Sequence, residues 1–289
     1  MKEVVKLIEL HCNKQKVDVI RGLDVTTDYL IDCFDIRYFY KAGGWEKHIM
    51  EKKQESEELF KVLMIWMEKV SVALENGSWL DFFGEVYESM YQSKGKASAL
   101  GQFFTPPAVC DLMARFCGKN NTDNVNDCAC GSGRTLLAQW SCAENKKGYY
   151  IGDDIDYQSV KMCALNMMMH GMRGRVVRHD TLTNPILFDI GFELNEIRYP
   201  FPTPYYSLRK IHYTKDDVKA NNEKLFKKYG DNVRKEKMLA GRELIDVYYP
   251  PQMKPKEEKK EEVKLSPLQS AILKEINKDV KPVQLSLFQ

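Results

Sequence analysis

The chain has 289 residues, 44% hydrophobic and 29% charged, with 43 basic against 41 acidic side chains and a net charge of +2. This ordinary globular balance excludes wholesale disorder, a collagen-like repeat, a disulfide mini-protein and a strongly basic coat for nucleic acid, and the length accommodates about two domains at ~150 residues each. No stretch reaches the ~18 apolar residues of a membrane span, the charged start Met1 to Leu10 lacks the apolar core of a signal peptide, and the eight scattered cysteines include no C-x-x-C pair. A cytoplasmic protein with reduced thiols and no metal is expected.

Residues 1–99 are expected to form a helical N-terminal domain. The segment Ser56 to Glu75 places Leu59, Phe60, Leu63, Trp66, Met67 and Val70 on one face and ends at Asn76-Gly77, a helix stop. Ser78 with Asp81 three residues on resembles a capping box. It opens a run whose apolar positions Trp79, Phe82, Phe83, Val86, Tyr87, Met90 and Tyr91 have the spacing of one buried helix face.

Residues 100–249 change character and are expected to form a second, α/β domain. Strand-like pieces alternate with helices: Asn124 to Asp127, then Arg134 to Asn145; Gly148 to Gly152, then Asp156 to His170; then Arg175 to Arg178. That alternation predicts a parallel sheet. A further helix is predicted over residues 215–229. Residues 250–289 read as a flexible tail, with a solvated run at Lys256 to Glu262 and a short amphipathic piece at Leu268, Ile272 and Ile276.

Three features carry chemistry. Asp127-Cys128-Ala129-Cys130-Gly131-Ser132-Gly133 sits where a strand gives way to a helix, and glycines there permit close backbone approach to a ligand, or simply a tight turn. After the next strand comes Gly152-Asp153-Asp154-Ile155-Asp156. An acid at that strand end is the usual grip on a ribose diol, since a carboxylate can accept from both hydroxyls. Asp154 is the ribose candidate, Asp156 is expected to cap the following helix, and Asp153 is expected to be a solvated neighbour. Asp180 follows the third strand, where an acid can accept from an exocyclic adenine amine; its neighbour His179 is read as a surface residue.

The order Leu100-Gly101-Gln102-Phe103-Phe104-Thr105-Pro106, the Asp127 to Gly133 loop, Gly152 to Asp156, Asn166 to Gly171 and Asp180-Thr181-Leu182 resembles the adenine-N6 DNA methyltransferases. The likeness is to the modification subunits of type I restriction systems, and Asp81 to Glu88 is similar to the helix those subunits place just before Gly-Gln-Phe-Phe-Thr-Pro. The resemblance spans about residues 78–183. It implies an abbreviated Rossmann-like class I methyltransferase domain and S-adenosylmethionine as cofactor. Phe104, Thr105 and Pro106 would flank the methionine end, with Asp127, Ala129, Gly131, Ser132 and Gly133 beneath it. Asp154 would hold the ribose, Ile155 would pack on adenine, and Asp180 would read its amine. Cys128 stands where the family has proline.

The family's catalytic Asn-Pro-Pro-aromatic motif has no counterpart at the expected place. Asn184-Pro185 comes too soon after Asp180, and Thr203-Pro204-Tyr205-Tyr206 is a candidate degenerate version within a proline-rich loop. Two readings follow: a DNA adenine-N6 methyltransferase with an altered catalytic loop, or an inactive S-adenosylmethionine-binding regulatory or partner subunit. A methyltransferase for RNA or protein is a third. Residues 205–249 carry 11 basic and 7 acidic side chains, with Tyr206, Tyr213, Tyr229, Tyr248 and Tyr249 interleaved, a face for DNA phosphates or for solvent. Gln284-Leu285-Ser286-Leu287-Phe288 is similar to the peptides that dock on the bacterial sliding clamp, which makes that clamp an expected partner alongside DNA and a specificity subunit.

Overall fold

The computed structural model describes residues 1–39, 43–91, 104–117, 124–144, 146, 148–182, 188–196 and 206–212. The helices in chain order are α1 (Lys2–Gln15), α2 (Gly22–Cys33), α3 (Ile36–Phe39), α4 (Gly44–Glu55), α5 (Glu57–Glu75) and α6 (Phe82–Tyr91), followed by α7 (Pro107–Cys117), α8 (Arg134–Cys142) and α9 (Tyr157–Met169). The strands are β1 (Val125–Asp127), β2 (Tyr149–Asp154), β3 (Arg173–His179), β4 (Phe188–Leu194) and β5 (Leu208–His212). Met1–Lys224 forms one compact unit, which contains every described residue.

Local sequence accounts for the helix boundaries. Ser56 caps α5 by accepting from the Leu59 N–H, and the chain turns out of the helix at Asn76 and Gly77. Helix α6 starts later than the capping-box reading expects. Its first residue is Phe82, and Asp81 rather than Ser78 is the cap, with Oδ1 accepting from the Gly84 N–H at 2.8 Å. Asp156 caps α9 as expected, accepting from Ser159 N–H at 2.7 Å, and Gly171 leaves that helix at φ 72°.

The sheet order is β1-β2-β3-β4-β5. β1, β2 and β3 run parallel, as the alternation predicts. β4 and β5 then add antiparallel to the β3 edge, which the parallel expectation did not include. The physical reason is visible in Ile190, Phe192 and Leu194, whose period-2 spacing is that of a strand with one face inward, Phe192 and Leu194 being buried. No long crossover separates this strand from β3, so it returns antiparallel.

Helix α9 links the layers, touching β2, β3 and β4 as well as α2 and α6. A large hydrophobic core runs from α1 and α5 through α6 and α9 to the sheet, and a small second cluster of Cys110, Ala114 and Ala138 joins α7 to α8. Trp66 lies at its centre, fully buried, with ring centroids 5.0 Å from Phe83, 5.9 Å from Phe34 and 6.4 Å from Phe82. Truncating such a side chain costs about 3–5 kcal/mol. Phe34 also accepts through its carbonyl from the Leu208 N–H at 3.1 Å, which ties the helical segment to β5. No described helix is long and apolar enough to cross a membrane.

Candidate functional site

Because β1, β2 and β3 are parallel neighbours, their carboxyl ends lie side by side, with Asp127 closing β1, Asp154 closing β2 and Asp180 following β3. The crevice outside such ends is where open α/β sheets bind ligands. Each carboxylate is tied to a loop. Asp127 accepts from Ala129 N–H at 3.1 Å through Oδ1 and from the Thr135 hydroxyl through Oδ2. Asp154 accepts from Gly131 N–H through Oδ2 and from Asp156 N–H through Oδ1, both at 2.9 Å. Asp180 accepts from Leu182 N–H at 3.2 Å, and the Thr181 hydroxyl donates to the Cys128 carbonyl at 3.3 Å, so the loops after β1 and β3 meet.

Negative charge therefore accumulates at these strand ends. Burial pushes the Asp154 carboxyl above its ordinary range, against the stabilising N–H bonds from Asp156 and Gly131, and the neighbouring Asp156 and Asp127 charges push it the same way. Large apolar side chains stand exposed just beyond: Ile155 at 67% after β2 and Leu182 at 94% after β3.

The glycine loop needs its glycines. Gly131 has φ 53° and Gly133 φ 95°, both in the left-handed region. A Cβ on Gly131 would lie 3.1 Å from Phe104 Cδ1, so that ring sits directly over the loop backbone. Phe104 packs edge-on to Tyr87 with centroids 5.2 Å apart, and the Arg134 guanidinium lies 5.3 Å from its centroid. Thr105 offers its carbonyl to Arg134 Nη1 at 3.4 Å, and the Pro106 carbonyl starts α7 by accepting from Val109 and Cys110. The structure thus places Phe104 against Gly131, Gly131 against Asp154, and Ala129 against Asp127.

Ser132 departs from that group. It is 1% exposed and its hydroxyl donates to Asp81 Oδ2 at 2.6 Å, turned from the strand ends toward α6. Two other expectations are corrected. Asp153 is buried rather than solvated, and His179 is not a surface residue: its Nδ1 lies 3.1 Å from Asp153 Oδ1. Asp153 pairs in register with Val177, two residues before His179 on the same face of β3, and the two side chains are 7% and 9% exposed.

Asp81, Arg134 and Asn166 were not among the expected site residues. Asp81 was legible as a helix-start acid and as the start of the Asp81 to Glu88 resemblance, but not as a site residue, since Ser132, Arg134 and Asn166 lie more than fifty positions away. The expected catalytic candidates Thr203, Pro204 and Tyr205, the segment Leu100 to Phe103, the helix over 215–229 and the peptide Gln284 to Phe288 lie outside the described residues. No group of three or more metal-ligating side chains gathers among the described residues.

N-terminal helices over a five-strand mixed sheet, with a glycine loop after β1, place the chain in the mixed α/β class. Within that class, the chain belongs to the N-6 DNA methylase family, which matches residues 79–238. It is 38% identical over 116 residues to the type I restriction enzyme MpnII methylase subunit of Mycoplasma pneumoniae, covering 36% of this chain and 21% of that protein. It is 29% identical over 121 residues to the EcoEI methylase subunit of Escherichia coli, covering 36% and 24%. The match thus spans about a fifth to a quarter of the length of these relatives. A crystal structure of a type I methyltransferase subunit from Streptococcus thermophilus aligns with a TM-score of 0.33 at 20% identity, over 64% of this chain and 41% of that one.

Proposed function

We propose that the chain binds S-adenosylmethionine at the carboxyl ends of β1, β2 and β3 and acts as a DNA adenine-N6 methyltransferase of the type I modification kind. The observation that carries this reading is the cradle at Gly131, where left-handed backbone passes close under Phe104, so that a Cβ would crowd the ring, while Asp154 holds the loop N–H. The residues present fit the cofactor. Asp154 keeps lone pairs free on both oxygens for ribose hydroxyls, Ile155 offers an exposed apolar face to adenine, and Asp180 can accept from the adenine amine. Phe104, Thr105 and Pro106 would flank the methionine end above Asp127, Ala129, Gly131 and Gly133. Ser132 contributes backbone alone, because its hydroxyl is committed to Asp81. The carboxylates at the strand ends complement a cationic ligand.

When bound, the cofactor supplies an electrophilic methyl group on a positively charged sulfur. The chain's part is to orient and to accept. For a flipped adenine, Thr203 would take a hydrogen bond from the target amine, and Tyr205 would stack on the base beside Pro204. The second reading, an S-adenosylmethionine-binding partner subunit without transfer, is favoured by one observation: no Asn-Pro-Pro triplet occurs in the sequence. In either reading DNA and a type I specificity subunit are the proposed partners, and Gln284 to Phe288 is the proposed contact to a sliding clamp. Clamp pull-down that survives Leu287→Ala with Phe288→Ala removes that last partner.

The test is transfer of labelled methyl from S-adenosylmethionine to unmethylated genomic DNA, with Asp154→Ala as control. Label at adenine N6 that disappears in the variant establishes the enzyme. Absence of label in a preparation that binds the cofactor, both alone and with a type I specificity subunit added, favours the binding subunit.

A further inference from the structure

We infer that Asp81 is the positioning residue of the cofactor pocket, fixing both the glycine loop beneath it and the aromatic wall beside it; this rests on reading the loop as a cofactor floor. Asp81 is 2% exposed and sits at the start of α6, yet most of its hydrogen bonds go elsewhere. Oδ1 accepts from Gly84 N–H at 2.8 Å and from Asn166 Nδ2 at 2.6 Å. Oδ2 accepts from the Ser132 hydroxyl at 2.6 Å and from Arg134 Nε. Four donors use the full acceptor capacity of one carboxylate.

A helix cap alone does not need this group. A neutral serine or asparagine would satisfy the Gly84 N–H, without the cost of burying a charge. Among the described residues the charge is matched by Arg134, itself 5% exposed, which is the residue directly after the glycine loop. From there the coupling continues outward. Arg134 Nη1 donates to Glu88 Oε1 at 2.9 Å and to the Thr105 carbonyl at 3.4 Å, and its guanidinium lies against Phe104. Asn166, fully buried on α9, donates a second time, to the Ser132 carbonyl at 3.0 Å. One carboxylate from the helical segment thus holds Ser132 between Gly131 and Gly133, and holds Phe104 through Arg134. The site is shaped for it: a Cβ on Gly84 would lie 1.8 Å from Asp81 Oδ2.

The experiment compares the full chain with Asp81→Asn, which keeps a cap, and with Ser132→Ala, which removes one donor and leaves the buried charge paired. Three quantities are read: S-adenosylmethionine affinity by calorimetry, amide hydrogen exchange along the chain, and the melting temperature. Both variants are expected to bind the cofactor about tenfold more weakly or worse. Exchange is expected to quicken at residues 129–134 ahead of β3, with melting shifted by a few degrees at most in Ser132→Ala and lowered further in Asp81→Asn, where buried Arg134 keeps Glu88 alone as its acid. Wild-type affinity in both variants overturns the proposal, and so does exchange that quickens equally in β3, the mark of a merely structural role. If Asp81→Asn does not fold, Ser132→Ala decides. If the unmodified chain fails to bind S-adenosylmethionine, the cofactor reading falls, while the exchange comparison still decides whether Asp81 orders the loop.

Discussion

The Gly131 N–H donates to Asp154 Oδ2 across 2.9 Å, so the acid at the end of β2 braces the loop that follows β1. The two residues are adjacent only because β1 and β2 are parallel neighbours. Asp154→Ala removes this bond and the one from Asp156, together with the proposed ribose acceptor. The expected result is a loss of S-adenosylmethionine affinity of about a hundredfold or more, since hydrogen bonds to a charged group are the strong ones. Calorimetry that finds the affinity unchanged removes Asp154 from the pocket.

Gly133→Ala should destabilise the fold far more than Gly77→Ala, although both glycines have positive φ. A Cβ at Gly133 would lie 2.8 Å from Cys163 Sγ inside the core, whereas nothing lies within 4 Å at Gly77. Strain with overpacking costs about 3 kcal/mol at the first site, against about 1 kcal/mol of strain alone at the second. Urea melts of the two variants measure the difference, and equal midpoints would contradict the packing described for the loop.

Lys161 is 1% exposed and its ammonium pairs with Asp24 and Asp28 of α2, which are 40% and 62% exposed. The consequence is asymmetric. Removing both acids strands a buried charge, and about 3–5 kcal/mol is expected to be lost in Asp24→Asn with Asp28→Asn. Lys161→Met returns the two acids to water and fills the space with an apolar chain, so it should cost less. Chemical denaturation that ranks the variants the other way would refute this account of how α9 holds α2.

His170 links the end of α9 to the approach to α6. Its Nδ1 donates to the Asn166 carbonyl at 2.7 Å, and its Nε2 accepts from the Leu80 N–H at 3.2 Å, an arrangement for the neutral ring. Burial lowers its pKa to about 4, against a weaker opposing effect of the Asn166 carbonyl. The unfolded state therefore binds the proton more tightly. The stabilisation is present in full above the ordinary histidine value near 6.5 and is lost as pH falls from there through about 4, to a total of roughly 3 kcal/mol. His170→Gln should flatten the fall in stability between pH 6.5 and 4. An imidazole titrating near 6.5 by NMR in the folded chain would show the ring to be accessible and the argument wrong.

Much of the architecture was legible before any coordinates. Asp156 as a cap, Asn76-Gly77 as a stop, and the Asp127 to Gly133 loop between β1 and α8 all follow from short-range geometry. A cap or a helical face depends on residues three and four positions apart, and a strand–loop–helix junction on about ten. The parallel order of β1, β2 and β3 was equally readable, because helical crossovers force it.

What the sequence by itself determined is the set of local elements, their order, and the positions of the acids and glycines at the strand ends. The tertiary structure alone decided which of those groups are buried, and against what. It turned Asp153 and His179 from solvated residues into a shielded pair, and Ser132 away from the strand ends. It gathered Gly84, Ser132, Arg134 and Asn166 onto Asp81. The reason is physical. A helix cap is satisfied within one turn of chain, but a buried charge is tolerated only where distant segments bring it donors, and Asp81 meets Ser132 and Asn166 across 51 and 85 positions once α6, α8 and α9 have packed.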